Sequence, residues 1–207
     1  MARASGTQRP TRIQREKTER VLEAALEVFS TYGYRGSTVD QIATQAGMSK
    51  PNLLYYFDGK TAIHVALLER LMSTWLAPLR AISEDGDPMD EIRTYVRAKV
   101  KMSRDHPRES RLFANEILQG APHIPSLLTG ELKELVDQKA GILKGWMTAG
   151  KLAPCDPYHL IFSIWATTQH YADFDVQVRT LLGTDSDQRF EEASTFLETL
   201  FLRGLKP

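Results

Sequence analysis

Apolar residues recur at every third or fourth position along almost the whole chain, which is the spacing of α-helices that bury one face. No stretch alternates strictly between apolar and polar residues with an Asn-Gly or Asp-Gly turn beside it, so β-hairpins are not predicted. The pattern therefore predicts an all-α fold. The predicted helices cover residues 12–31, residues 38–46, a segment that opens at residue 49, and residues 58–78, 88–105, 108–120, 125–149, 156–180 and 187–204.

Capping residues mark where several of these helices begin. Thr38 precedes Gln41 by three residues, which is the capping-box spacing, and Ser49 can cap a helix that has Pro51 in its first turn. Asp156 followed by Pro157 is the same kind of start signal. We predict two domains, residues 1–58 and residues 59–207.

The helix at 38–46, the turn at Gly47 and the helix that opens at Ser49 have the proportions of a helix-turn-helix motif. In that motif the second helix enters the major groove of DNA with its first residues towards the base edges. An ordinary helical corner has the same proportions and remains the alternative at this point. The candidate DNA contacts here are Thr38, Ser49, Lys50, Pro51, Asn52, Tyr55, Tyr56 and Lys60.

The charge distribution strengthens the DNA-binding interpretation. The net charge of the chain is zero, yet residues 1–20 hold six basic and two acidic residues, a net charge of +4. A basic arm beside a helix-turn-helix can follow the DNA backbone, with Arg12 and Arg15 as predicted contacts, although a solvated tail would have the same composition. A single cysteine excludes an internal disulfide, and no segment resembles a secretory signal or a membrane span, so we expect a cytoplasmic protein.

A polar stripe interrupts the apolar helix predicted at 156–180. Trp165, Gln169 and Asp173 are four residues apart and therefore share one helical face. Buried amides and carboxylates need partners, and a planar ligand with adjacent C=O and N–H groups would supply them. The alternative is that these side chains form part of a dimer interface.

The segment VLEAALEVFSTYGYRGSTVDQIATQAGMSKPNLLYYFDGKTAIHVALL resembles the DNA-binding domain of the TetR family of transcriptional repressors. That resemblance implies an all-α homodimer that binds a near-palindromic double-stranded DNA operator. It also implies a C-terminal domain that binds a small effector and lowers the affinity for DNA. In this family the residues that match the eight candidates listed above, apart from Pro51, lie at the DNA surface.

Three further segments, including SRDHPRESRLFANEILQGAP, resemble the branch of the family that regulates pyrimidine utilisation, and they cover the predicted ligand domain. This resemblance implies uracil or thymine as the effector, with no other cofactor. The alternatives are another small planar ligand or no effector at all. The candidate ligand contacts are Trp75, Phe113, Glu116, Trp165, Gln169, His170, Tyr171 and Asp173.

An enzyme is the alternative from a different functional class. His159 and His170 are eleven residues apart on one predicted helix, about 16 Å along its axis, which is too far to share a metal ion. No glycine-rich phosphate loop is present, and Cys155 has no base beside it in sequence. We therefore expect a regulator without catalytic or metal-binding residues.

Overall fold

The computed structural model describes residues 11–207, and within that range it contains helices and no β-strand, as the apolar spacing predicts. The basic residues Arg3 and Arg9 lie outside the described range. No helix of the described residues is both long enough and apolar enough to cross a membrane. In chain order the helices are α1 (Arg12–Gly36), α2 (Val39–Gln45), α3 (Lys50–Leu54), α4 (Lys60–Ala81), α5 (Pro88–Asp105), α6 (Pro107–Leu118), α7 (Pro125–Leu127), α8 (Lys133–Thr148), α9 (Pro157–Asp173), α10 (Asp175–Leu182) and α11 (Gln188–Gly204), with a π-helical turn at Leu128–Leu132.

The chain forms two compact units, one that ends at Leu67 and one that begins at Leu68. This division falls inside α4, whereas the sequence placed it before that helix. In the first unit α1 packs against α2, and α2 packs against α3. Phe29, Ile42 and Leu53 are fully buried members of its core.

The second unit is built around α5, which packs against both α9 and α11. Its core is one continuous apolar cluster that includes Val96, Leu143, Ile161 and Leu197. The indole of Trp146 belongs to the same cluster and donates a hydrogen bond to the backbone oxygen of Glu84 at 3.2 Å. A core of this size can hold the walls of a cavity in fixed positions.

Four helix boundaries differ from those predicted. The first helix continues to Gly36 across a non-helical Gly33. Helix α4 continues past Pro78 to Ala81, and the residue that follows Pro78, Leu79, is fully buried in the core. The helix predicted at 125–149 is broken by a π-helical turn with a non-helical Gly130. The helix predicted at 156–180 breaks at Phe174, beyond which a new helix starts.

The break at Phe174 has a physical cause in the next helix. The Asp175 carboxylate accepts a hydrogen bond at 2.9 Å from the guanidinium of Arg189, which is almost fully buried at the start of α11. A buried guanidinium needs such a carboxylate partner, and the ion pair holds the start of α10 against α11. The periodicity of a single sequence segment does not contain this long-range constraint.

Candidate functional site

The first candidate site is the surface of the helix-turn-helix in the first unit. The predicted capping box is present: Gln41 N donates to Thr38 Oγ at 3.2 Å, and Thr38 N donates to Gln41 Oε1 at 2.8 Å. This reciprocal pair satisfies two backbone groups at the start of α2 and fixes its position in the motif.

The turn between α2 and α3 depends on Gly47. Its φ of 61° lies in the left-handed region, and a Cβ atom there would lie 2.5 Å from Arg20 Nη2. The same guanidinium donates to the Gly47 carbonyl oxygen at 3.4 Å, so α1 holds the turn that aims α3.

The short helix α3 has an exposed polar front and a buried rear. Ser49 accepts a hydrogen bond from Asn52 N at 3.4 Å as its N-cap, and Lys50, Pro51 and Asn52 are exposed. Leu53 behind them is fully buried. The front of α3 therefore exposes residue types that can hydrogen-bond to bases and phosphates.

Two other candidates extend this surface. The Tyr55 side chain is 75% exposed and its ring lies edge-on to that of Tyr56, with 5.2 Å between centroids. The Lys50 ammonium is 2.8 Å from Asp40 Oδ2, and both side chains remain accessible, so the lysine can exchange that partner for DNA.

Lys60 has internal partners that the sequence did not predict. Its ammonium donates to the carbonyl oxygens of Tyr34 at 2.7 Å and Ser37 at 2.8 Å, and it lies 4.5 Å from the Tyr34 ring centroid. Two of its three donors therefore hold the end of α1, which leaves one for a phosphate. Arg12 is exposed and pairs with Glu16 at 2.8 Å, and Arg15 is exposed.

The second candidate site is a cavity of about 690 Å³ within the second unit. Its size lies in the range of small-molecule sites, and most of its lining is apolar. Helices α4, α5, α6 and α9 and the π-helical turn supply the walls. The lining residues are Met72, Trp75, Leu76, Lys99, Arg111, Phe113, Ala114, Asn115, Ile117, Leu118, Leu128, Leu132, Trp165, Gln169, Asp173 and Phe174.

Five of the eight candidate ligand contacts line this cavity, namely Trp75, Phe113, Trp165, Gln169 and Asp173. The other three lie elsewhere, and each has a visible packing role. Glu116 is buried and accepts from His123 N at 2.8 Å. The His170 ring stacks on Phe174 with 5.0 Å between centroids, and the Tyr171 ring lies 6.4 Å from that of Phe190.

The two tryptophans of the cavity differ in their hydrogen bonding. Trp165 Nε1 donates to the hydroxyl of buried Tyr95 at 2.6 Å, which fixes the indole and leaves its ring face for the cavity. Trp75 Nε1 is buried and has no hydrogen-bond partner in the described part of the chain. A buried donor without a partner is costly, so this group is suited to a ligand acceptor.

Asp173 is a constrained carboxylate. Its Oδ1 accepts from the Ser110 hydroxyl at 2.6 Å, and burial raises its pKa above the usual range for aspartate, against the opposing effects of Ser110 and Arg111. The Arg111 guanidinium is itself held by the Ala172 carbonyl oxygen at 3.1 Å. One end of the cavity therefore has ordered charges.

The sequence interpretation missed Lys99, although it lines the same cavity. This side chain is 1% exposed, and its ammonium lies 4.8 Å from the ring centroid of Trp75. Burial lowers the pKa of Lys99 from 10.5 to about 7, opposed by attraction to Asp173. The sequence does contain a signal for a buried Lys99, because this residue falls at helical spacing between two other buried residues of α5, Val96 and Ser103.

A helix-turn-helix with an exposed polar front, joined in one chain to a helical unit with a ligand-sized cavity, is the arrangement expected of a DNA-binding transcriptional regulator. The chain belongs to the tetR family of bacterial regulatory proteins. Residues 21–67 match the family described as bacterial regulatory proteins of the tetR family, and residues 68–207 match the C-terminal region of YcdC-like proteins.

Among individual proteins, the chain is similar to the HTH-type transcriptional regulator RutR of Escherichia coli strain K12. The two are 45% identical over 203 residues, which cover 97% of this chain and 96% of RutR. The HTH-type transcriptional repressor NicS of Pseudomonas putida is 25% identical over 211 residues, covering 96% of this chain and 98% of NicS.

Solved structures share the fold at lower identity. A tetR-family regulatory protein from Rhodococcus RHA1 superposes with a TM-score of 0.74 at 19% identity and covers 92% of this chain and 97% of that chain. The fatty acid degradation regulator FadR from Bacillus halodurans has a TM-score of 0.68 at 20% identity, with coverages of 94% and 97%. The predicted all-α fold of the TetR type is thereby confirmed.

Proposed function

We propose that this transcriptional regulator is a homodimeric repressor whose effector is uracil or thymine and whose targets serve pyrimidine utilisation. One observation carries the proposal: the Gln169 amide lines a cavity that Trp75 and Trp165 also line. An amide presents a donor and an acceptor side by side, which complements the C=O and N–H edge of a pyrimidine dione, while an indole face stacks on a flat ring.

The similarity to RutR supports the same interpretation because it extends through the unit that contains the cavity. The 45% identity covers 97% of the chain, so it includes α4, α5, α6 and α9. The resemblance of these segments to regulators of pyrimidine utilisation points to a pyrimidine as the ligand.

The proposed mechanism is a shift between two populations of the dimer. Two copies of α3 would read a near-palindromic operator at half-sites about one DNA turn, ~34 to 36 Å, apart. A ligand that prefers a state with another spacing of these helices weakens the affinity for DNA. A coupling of about 1 to 3 kcal/mol changes that affinity about 5- to 150-fold. The proposed carrier is α4, which begins at Lys60 and contains Trp75.

A regulator with no effector is the second candidate, in which the polar stripe of α9 belongs to the dimer interface. The dimer interface does not require the polar stripe, however, because α9 and α11 also expose large apolar side chains that could form it. Tyr158 and Phe162 of α9 and Phe196 and Leu200 of α11 are exposed in the single chain. A dimer can therefore form on these helices while Trp165 and Gln169 remain on the cavity wall.

Thermal unfolding distinguishes the two candidates. A saturating ligand, at about 100 times its dissociation constant, should add about 2.7 kcal/mol of stability. We expect uracil or thymine to raise the melting temperature, with barbiturate and dihydrouracil as near relatives and adenine as a control without the dione. If none of these compounds moves the transition, the effector-free candidate is favoured and the pyrimidine proposal is wrong.

A further inference from the structure

Two hydrogen-bond donors belong to residues that line the same cavity. One is the buried indole N–H of Trp75, which has no hydrogen-bond partner in the described part of the chain, and the other is the ammonium of Lys99, which lies 4.8 Å from the centroid of the Trp75 ring. A lysine ammonium carries three donors and no acceptor. Because Lys99 is 1% exposed, a ligand in the cavity can supply acceptors that bulk water does not readily supply.

We propose that Lys99 is a ligand-contacting residue whose ammonium donates to a carbonyl oxygen of the effector, and that the ligand-free protein takes up a proton at Lys99 when the effector binds. This inference rests on the proposed function, since it assigns a role to a further residue of the same cavity. It also makes the strength of the response depend on pH.

The surroundings of Lys99 support a site at which the protonated fraction of the lysine rises when the ligand binds. Its pKa is lowered to about 7 by burial, so at neutral pH the ligand-free cavity holds a mixture of ammonium and amine. A hydrogen bond from a charged donor is stronger than one from a neutral donor, so an acceptor at this point favours the protonated form. Binding and protonation therefore strengthen each other.

Charged groups on three neighbouring helices lie near α5. On α9, Asp173 attracts the ammonium, and on α6, Arg111 lines the same cavity and is held by the Ala172 carbonyl oxygen. The carboxylates of α11 that meet α5 are Glu198, paired with Arg97 at 2.7 Å, and Glu191, paired with Arg104 at 3.2 Å. On α5 itself the hydroxyl of Tyr95 accepts from Trp165, and on α4 the neighbour is the neutral indole of Trp75.

The test is a calorimetric titration of the full chain with uracil in two buffers of different ionisation enthalpy, because the difference in heat counts the protons exchanged. At about pH 8 we expect uptake of a measurable fraction of a proton, at most about one, and at about pH 6 close to none. The affinity should fall severalfold, and at most about tenfold, for each pH unit above about pH 7. Binding with equal affinity and no uptake at both pH values would overturn the inference.

Variants locate the effect at one residue. Lys99→Met should weaken uracil binding at about pH 6 by at least about tenfold and abolish both the proton uptake and the pH dependence. Lys101→Met, a change at an exposed lysine of the same helix, should leave all three unchanged. Uptake that persists in folded Lys99→Met would assign the proton to another group and overturn the inference.

Pyrimidin-2-one and pyrimidin-4-one, each of which lacks one carbonyl oxygen of uracil, test the contact itself. One of them should bind to wild type without proton uptake, and Lys99→Met should lose the discrimination between that analogue and uracil. Equal discrimination in both proteins would contradict a contact at Lys99. If neither uracil nor thymine binds to wild type under any condition, the proposed function itself fails, which is a different result from binding without proton uptake.

Discussion

Gln169 and Trp165 are the residues whose replacement tests the cavity most simply. We predict that Gln169→Ala or Trp165→Ala abolishes the response to uracil and leaves DNA binding intact, because both side chains line the cavity in the second unit. Titration calorimetry with uracil and a gel shift with DNA measure the two properties. Ser163→Ala, at an exposed position of the same helix, is the control and should retain both. Loss of dimerisation in either cavity variant would instead assign the stripe to the dimer interface.

Lys99 gives a prediction about stability that needs no ligand. Below about pH 7 the folded chain must hold a buried charge, whereas the unfolded chain holds the same proton in water. Between about pH 7 and pH 10.5 the unfolded chain binds more protons, so this group makes the free energy of unfolding rise with pH. Lys99→Met should therefore be more stable than wild type at about pH 6, by about 1 to 4 kcal/mol, with the advantage shrinking by about pH 9.

Urea unfolding at the two pH values measures this difference. Lys101→Met is the control, because the ammonium of Lys101 is exposed and pairs with Asp105, so its replacement should be nearly neutral at both pH values. A Lys99→Met variant that is less stable than wild type at about pH 6 would show that the ammonium stabilises the ligand-free fold.

At this scale the sequence predicted the stripe of Trp165, Gln169 and Asp173 because fixed helical spacing places such residues on one face. It did not predict the partners that α-helices bring from far along the chain. Glu116 accepts a hydrogen bond from His123, and Lys60 donates one to the end of α1. Helical spacing does not encode either contact. Helical spacing places Lys99 on the buried face of α5, but spacing alone does not show that this face borders a cavity.

The helix α3 is the element on which we propose that DNA recognition depends. We predict that Lys50→Ala lowers the affinity for DNA by about 1 to 3 kcal/mol, since its exposed ammonium leaves Asp40 to contact a base or phosphate. Tyr56→Phe removes one hydroxyl and should cost less, about 0.5 to 1.5 kcal/mol. Lys144→Ala, an exposed lysine of α8, is the matched control and should bind DNA normally.

Fluorescence anisotropy with a labelled duplex measures these affinities, and uracil calorimetry on the same samples checks that the second unit is intact. The opposite pattern, with normal DNA affinity and impaired uracil binding in Lys50→Ala, would remove α3 from the DNA interface.

Helices that begin with a capping residue were the easiest elements to predict. Thr38, Ser49 and Asp156 each accept a hydrogen bond from the first turn of the helix that follows, as their positions indicated. Helix ends and breaks were harder because they depend on tertiary contacts. Pro78 lies inside α4 next to buried Leu79, and α9 ends where Asp175 must reach Arg189. Local propensity is a weak prior that such packing overrides.

For the whole molecule, the predicted all-α fold class follows from apolar spacing. The class of protein follows from the resemblance of the helix-turn-helix segment to the TetR family, because the proportions of that motif alone also fit an ordinary helical corner. The effector does not follow from either, because a fatty acid degradation regulator is among the solved structures of similar fold. The identity of the effector depends on a few polar groups in one cavity. A response to uracil further requires that binding in the second unit changes DNA affinity in the first.

The most direct test measures DNA affinity in the presence and absence of uracil. Duplexes selected by the wild-type protein from a random pool supply the DNA, and anisotropy supplies the dissociation constant. We predict that saturating uracil weakens binding by about 5- to 150-fold, and that Gln169→Ala binds the same duplex without any response. Uracil that occupies the cavity while DNA affinity stays constant, or that never binds, would contradict a pyrimidine-responsive regulator.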